Sequence, residues 1–270
     1  MTHSPAILVR HDVGVTHLTL NRPESRNAMS LAMVDELIEK LKLAEEHGES
    51  RVIIVRGTGG HFCAGADLKD MAAARQKLMQ GQAGETDPLA NINRRFGELC
   101  ASFAESPLAV ITVLEGTVMG GGFGLACASD ITLADGTASF RLPETSLGLV
   151  PAQIAPYLVE RLGYSQARRL AVTGGRIDAS AAKEIGLVHE LFYNTTEMDA
   201  GLQRVIGEIL ACAPQALAAT KKLVARARLH SPRELIDEAA AAFSKSATGK
   251  EGTEGTMAFL QKRKANWVPQ

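Results

Sequence analysis

Residues 57–67, GTGGHFCAGAD, and residues 116–124, GTVMGGGFG, are the two stretches on which the reading of this chain turns. Of its 25 glycines, four fall in the first stretch and five in the second. Each stretch joins a compact apolar run to a helical pattern: RVIIVRG (51–57) leads through the first to a helix beginning near Ala66, and LAVITVL (108–114) leads through the second to a helix over Gly121–Ala128. A strand, a glycine loop and a helix thus occur twice, which points to an α/β fold. Neither stretch supplies the Lys-Ser/Thr of a P-loop or a G-x-G-x-x-G, so phosphate cradling by those routes is not expected. What remains is two helix starts, entered through glycines that let another group approach the backbone and carrying unpaired N–H donors. If Ala66 and Gly121 face one point, their amides form a two-donor oxyanion hole for a carbonyl that becomes an enolate. Tight helix–sheet packing is the alternative use of the same glycines.

Outward from these windows the alternation continues. Strands are expected at Ala6–Arg10 and Val15–Leu20 around an Asp12/Gly14 turn, then a helix capped by Ser30 with Leu31, Val34, Ile38 and Leu41 on one face and Gly48 at its end. GQAGETDP (81–88) reads as a mobile polar loop, and a helix follows over about Asn91–Glu105. Short strands are expected at Asp130–Ala134 and Ala138–Phe140; from Gln153 the pattern is mainly helical, with Pro214, Pro232 and Gly249 punctuating the last helices. The expected organisation is a core over 1–195 and a helical C-terminal region over 196–270. With 270 residues, 46% of them apolar, and 29 Lys+Arg against 30 Asp+Glu, the chain is an ordinary globular protein whose net charge implies no polyanion partner. Its 4% aromatic content argues against a stacking platform for nucleic acid. The start lacks a basic stretch followed by an apolar run, so a cytoplasmic protein without a signal peptide is expected, and the glycine-rich 116–129 segment is too short to span a bilayer. Cys63, Cys100, Cys127 and Cys212 form no C-x-x-C, so buried reduced thiols are expected and no metal site.

A carboxylate is wanted beside an oxyanion hole. Glu144, in RLPETSLGLVP (141–151), lies among Leu142, Leu147, Leu149 and Val150, an apolar setting that would raise its pKa toward acid–base use; a first-turn carboxylate is the alternative. Asp67 reads as a helix-start residue, Asp130 as a strand-edge residue, and His61 and His189 as loop or core histidines.

Six stretches in order, NRPESRNAMS (21–30), HFCAGADLKDM (61–71), GTVMGGGFGLACASDI (116–131), FRLPETSLGLVPA (140–152), ARRLAVTGGRIDASAAKEIGLVHE (167–190) and EGTEGTMAFLQKR (251–263), resemble the enoyl-CoA hydratase/isomerase (crotonase) superfamily. The resemblance implies a ββα spiral core with a C-terminal helical region that trimerises, giving a homotrimer or a hexamer of two trimers. It also implies an acyl-CoA substrate with no separate cofactor, nucleic acid or membrane partner. On this sequence the implied oxyanion donors are the amides of Ala66 and Gly121, and the implied CoA contacts are Arg26, Asn27, Ala64, Ala66, Asp67, Leu68 and Lys69. Glu144 is the implied acid–base group. Hydratases of the family carry a further glutamate where this chain has Gly124, a glycine expected to enlarge the acyl pocket. The segment PAQIAPYLVERLGYSQARRLAVTGGR (151–176) is similar to that of hydratases for branched glutaconyl-CoA thioesters, of the isohexenylglutaconyl and 3-methylglutaconyl types met in acyclic terpene and leucine breakdown. That implies hydration of a 3-branched glutaconyl-CoA. The alternatives are a Δ3,Δ2-enoyl-CoA isomerase working with Glu144 alone, another CoA-ester enzyme such as a hydrolase or ring-forming enzyme, and an RNA-binding relative using the basic stretches Lys221, Lys222, Arg226, Arg228 and Lys262–Lys264.

Overall fold

The computed structural model describes residues 5–81 and 87–269. A hairpin of β1 (Ile7–Asp12) and β2 (Val15–Leu20) turns at Gly14, whose φ of +73° is a glycine conformation. Ser30 accepts a hydrogen bond from Met33 N and so starts α1 (Leu31–His47), which Gly48 ends in the left-handed region. Then come β3 (Val52–Gly57), α2 (Leu68–Met79), α3 (Pro88–Glu105), β4 (Ala109–Leu114), β5 (Thr117–Met119), α4 (Gly121–Ala128), β6 (Ile131–Asp135) and β7 (Ser139–Arg141). The remainder is α5 (Ala155–Thr173), β8 (Arg176–Asp178), α6 (Ala179–Glu184), β9 (Glu190–Phe192), α7 (Thr195–Ala211), α8 (Pro214–Ala227), α9 (Ile236–Thr248) and α10 (Lys250–Leu260).

The large sheet has the order β1-β2-β3-β4-β6-β9, antiparallel in its hairpin and parallel elsewhere; β5, β7 and β8 form a small second sheet. Parallel strands need covering on both faces. Alternate residues of β3 meet that need: Ile53 and Val55 join the core shared with α1, α3 and α4, while Val52 and Ile54 face Met198, Leu202, Val205, Ile206 and Ile209 of α7. Consequently α7 shares a core with the sheet, and a boundary at 195/196 would cut through packed elements. The helical stretch after Gln153 also contains β8 and β9, which at three residues each are too short to show a period in the sequence. Residues 82–86 of the polar loop expected over 81–88 lie outside the described residues.

Cys63, Cys100 and Cys127 are buried, and burial pushes their thiols up, to about 12 for Cys63 and Cys127; Cys212, expected to be buried, is exposed. Among the described residues no helix is long and apolar enough to cross a membrane. The C-terminal helices leave Val224, Ile236, Phe243, Phe259 and Leu260 exposed on the single chain, with Leu229 exposed in the turn between α8 and α9.

The end of the chain is pinned to the sheet by one guanidinium. Arg51 donates to Trp267 O at 2.8 Å, to Ile209 O at 3.4 Å and to Cys212 O, and Trp267 Nε1 donates to Ala211 O at 3.0 Å. Arg51→Ala is therefore expected to destabilise the fold by about 2 kcal/mol, the worth of charge-assisted bonds lost to carbonyls in a partly buried junction. Urea unfolding checks this: an unchanged midpoint would show that the junction contributes nothing.

Candidate active site

The two glycine windows meet. A β-carbon added at Gly65 would lie 3.0 Å from Met119 O and 3.5 Å from Gly121 N, so only a glycine, here with φ +94°, lets the loops touch. The meeting is secured by bridges between Cys63 and Val118 and between Met29 and Ala66. Around Ala66, Gly65 N donates to Cys63 Sγ at 3.3 Å and Asp67 N to Met29 O at 2.9 Å. Before Gly121, Gly120 N donates to Arg141 O at 3.0 Å. Among the described residues the amides of Ala66 and Gly121 themselves have no acceptor. Their origins differ. Gly121 is the first residue of α4 and owes its free N–H to the helix start, whereas α2 begins only at Leu68 because Asp67 caps it, which corrects the helix start expected near Ala66. Ala66 N is free because its parallel bridge to Met29 runs through its neighbours: Met29 N donates to Gly65 O at 2.8 Å and Asp67 N donates to Met29 O.

Glu144 opens a short 3₁₀ turn, Glu144–Leu147, that ends at Gly148 in the left-handed region. Its Oε1 lies 2.9 Å from where a β-carbon on Gly120 would stand, so the carboxylate presses on the turn that presents the Gly121 amide. Its Oε2 is buried without a hydrogen-bond partner. Burial pushes the carboxyl above the ordinary range, with only its own backbone amide acting the other way. The expected cause needs correcting: Leu147, Leu149 and Val150 are 61%, 42% and 74% exposed, so of the named neighbours only Leu142 is buried. The close contact on the carboxylate is made by the glycine turn across the site, at Gly120.

The other expected binding residues divide sharply. Arg26 is exposed at φ +50°, and Leu68 and Lys69 are exposed on the first turn of α2, all free to meet a ligand at the rim. Ala64 is half-buried and donates from its backbone to Arg26 O at 3.0 Å. Asn27 is fully buried: Oδ1 accepts from Arg22 N at 2.8 Å, and Nδ2 donates to Thr58 O and His61 O at 2.9 and 2.7 Å. That side chain is spent holding the loop, so it cannot also contact CoA. Asp67 is spent likewise, accepting from Lys69 N at 2.9 Å and Arg22 at 2.8 Å. Burial works against its charge, but these bonds outweigh it and hold the carboxyl below the ordinary range. Arg22 gave no signal in the sequence. His61 Nδ1 accepts from Thr117 N at 3.1 Å, His189 bonds Thr132 and Arg161, and Asp130 accepts from Val110 N and Lys221, so all three are structural, as expected.

Gly124 does not open the pocket. A β-carbon there would overlap Ile154 Cγ2 and stand 2.9 Å from Ile154 Cβ, so the space of the missing side chain is filled by isoleucine. Phe96 of α3 borders the same place, lying 3.2 Å from an added β-carbon at Gly121 and 3.6 Å from one at Gly124. Met29 Cε closes the other side at 2.8 Å from the former. Two free amides and one carboxylate thus stand beside apolar Met29 and Phe96 at Gly121, with Ile154 packed on Gly124. Such a site can hold a developing oxyanion and move one proton.

The fold has known counterparts. The family model described as enoyl-CoA hydratase/isomerase matches residues 10–270. The chain belongs to that family. A solved enoyl-CoA hydratase/isomerase from Marinobacter aquaeolei is 45% identical with a TM-score of 0.93, over 98% of this chain and 99% of the other. AtuE of Pseudomonas aeruginosa is 44% identical with a TM-score of 0.92, over 98% and 100%. The 2,3-dehydroadipyl-CoA hydratase of Escherichia coli strain K12 is 31% identical over 264 residues, 95% of this chain and 96% of that protein. The crotonase fold expected from the sequence is thus observed, and the protein is an enzyme of the enoyl-CoA hydratase/isomerase family acting on acyl-CoA thioesters. Within it, the basic stretches raised as an RNA-binding surface are largely neutralised: Lys221 pairs with Asp130, Arg226 with Glu238, Arg228 with Glu160 and Arg263 with Glu254.

Proposed function

We propose that the protein adds water across the C2–C3 double bond of a 2-enoyl-CoA thioester whose acyl group is a 3-branched glutaconyl, of the isohexenylglutaconyl type. The observation that carries the chemistry is the buried, unpartnered Oε2 of Glu144 beside two free amides. Water oxygen bonds to C3 while its proton passes to Glu144, and the displaced electron pair moves onto the thioester oxygen, held by the amides of Ala66 and Gly121. Collapse of that enolate takes the proton from Glu144 to C2. One water is added and the carboxylate is regenerated. Arg26, Leu68 and Lys69 are the accessible contacts for CoA, and no cofactor beyond the CoA of the substrate is invoked. The acyl assignment is supported by the 151–176 segment and by a relative named for a carboxylate-bearing dehydroadipyl thioester. A homotrimer, alone or paired as a hexamer, would cover the exposed apolar side chains of the C-terminal helices, and a cytoplasmic location completes the proposal.

A second reading has its own observation. A fixed water needs two or more polar partners, and the side chains that border Gly121 and Gly124 are the apolar Met29, Phe96 and Ile154. That favours a Δ3,Δ2-isomerase, in which Glu144 carries a proton between C4 and C2 with no water bound. Assays of the purified protein with a 3-branched glutaconyl-CoA and with a 3-enoyl-CoA decide between them. Mass spectrometry is expected to show a product heavier by one water from the first; turnover of the 3-enoyl-CoA without hydration of either would overturn the hydratase reading.

A further inference from the structure

The segment after Pro151 is docked through two glycines. Ile154 fills the place of a side chain at Gly124 on α4, and Gln153 fills the place of one at Gly97 on α3, where an added β-carbon would lie 2.7 Å from Gln153 Cδ. Consecutive residues thus fit consecutive holes, which fixes where each side chain sits. Gln153 Nε2 then donates to Asn93 Oδ1 at 2.9 Å. Asn93 is three residues before Phe96 on α3, a spacing that puts both on one face of the helix. Phe96 thus borders Gly121, Ile154 borders Gly124, and the amide pair Asn93–Gln153 adjoins both along α3 and along the segment after Pro151.

We propose that Asn93 and Gln153 bind a carboxylate carried by the acyl group, with half-buried Phe96 as the apolar surface beside the arm that carries it. This rests on the glutaconyl reading of the substrate. Among the described residues Asn93 Nδ2 has no acceptor, and Gln153 Nε2 uses one of its two hydrogens on Asn93, so three N–H donors remain for an anion. Asn93 is exposed, so a carboxylate placed there keeps part of its water and its desolvation cost stays small. An aromatic edge next to hydrogen-bond donors matches the single methylene that separates C3 from the carboxylate of a glutaconyl group, and leaves a plain alkyl end facing polar groups it cannot satisfy.

The test compares 3-methylglutaconyl-CoA with 3-methylpent-2-enoyl-CoA, which replaces the carboxylate by a methyl, on wild type, Asn93→Asp and Gln153→Leu. Asn93→Asp is isosteric, keeps the acceptor for Gln153 and places a negative charge against the substrate's own. The wild type is expected to prefer the carboxylated thioester. Asn93→Asp is expected to raise KM for it about tenfold or more with kcat within about twofold, while KM for the uncharged thioester stays unchanged. Gln153→Leu should shift KM in the same selective way more weakly. If the wild type prefers the carboxylated thioester but Asn93→Asp moves both KM values equally or neither, the amide pair is not its binding site and the substrate reading survives. If the wild type shows no such preference, the substrate reading fails and the inference with it. Should Gln153→Leu not fold, Asn93→Asp decides alone, since its side chain is on the helix surface.

Discussion

Replacing Glu144 by Gln is expected to cut turnover by about a thousandfold or more, the worth of the sole proton-transferring group, while leaving CoA-thioester binding largely intact. The same substitution is expected to raise the unfolding temperature at neutral pH. Both follow from one fact, the burial that pushes the Glu144 carboxyl up. Between its ordinary pKa and the raised one, the folded chain binds more protons at this group than the unfolded chain does, so stability falls as pH rises through that interval. The contribution is fully present below the ordinary value and lost above the raised one. At neutral pH the native enzyme therefore carries the cost of a buried charge with one oxygen unpartnered, and a neutral amide of the same shape removes most of it. The stability difference between the two proteins should close at acid pH, where both side chains are uncharged. On the kinetic side, a base must be ionised, so kcat/KM of the native enzyme is expected to fall as pH drops through the raised pKa. Calorimetry across pH and steady-state kinetics check the pair. A variant with near-normal turnover, or one less stable than wild type at neutral pH, would remove Glu144 from the role given to it.

How far the sequence led toward this site depends on what kind of information each residue carries. Glycine clustering between strand and helix patterns exposed the two windows, and with them Ala66 and Gly121, because close backbone approach demands glycine whatever the partner is. The partner itself is a tertiary fact. The sequence pattern puts Ala66 at a helix start, yet its amide is left open by a bridge to Met29, a residue far away in the chain. The neighbours of Glu144 in sequence predict an apolar setting, yet three of them are exposed, and its Oε1 packs instead against Gly120 across the site. Asn27 and Asp67 enter as CoA contacts only through the family resemblance, and their side-chain hydrogen bonds are consumed within the loop. Local pattern reveals that a group is available, whereas only packing reveals what uses it up.

Gly124→Glu is the sharpest case, and it is expected to abolish activity and most of the soluble fold rather than to change the preferred acyl chain. A glycine met in sequence where related hydratases carry a glutamate reads as added space. In the structure that space belongs to Ile154, which is 3% exposed and overlaps any β-carbon at 124. Overpacking of this kind costs about 1–3 kcal/mol for a methyl alone. A carboxylate pushed between Phe96 and Ile154 adds the cost of burying an unpaired charge. The compensation should be specific. Ile154→Ala by itself leaves a cavity worth about 2–5 kcal/mol, and Gly124→Ala by itself overfills the site, so the double variant Gly124→Ala/Ile154→Ala puts the new methyl into the new void. Its destabilisation is expected to fall short of the sum of the single effects by about 1 kcal/mol or more, as for residues in direct contact. Likewise Gly124→Glu should regain soluble expression when combined with Ile154→Ala, and that double variant, carrying two carboxylates, is the one in which hydration of straight-chain 2-enoyl-CoA thioesters should improve. Urea unfolding of the four Gly124/Ile154 combinations measures the coupling. Additive effects would mean that Ile154 does not occupy the place of the missing side chain, and the pocket at Gly124 would then be open after all.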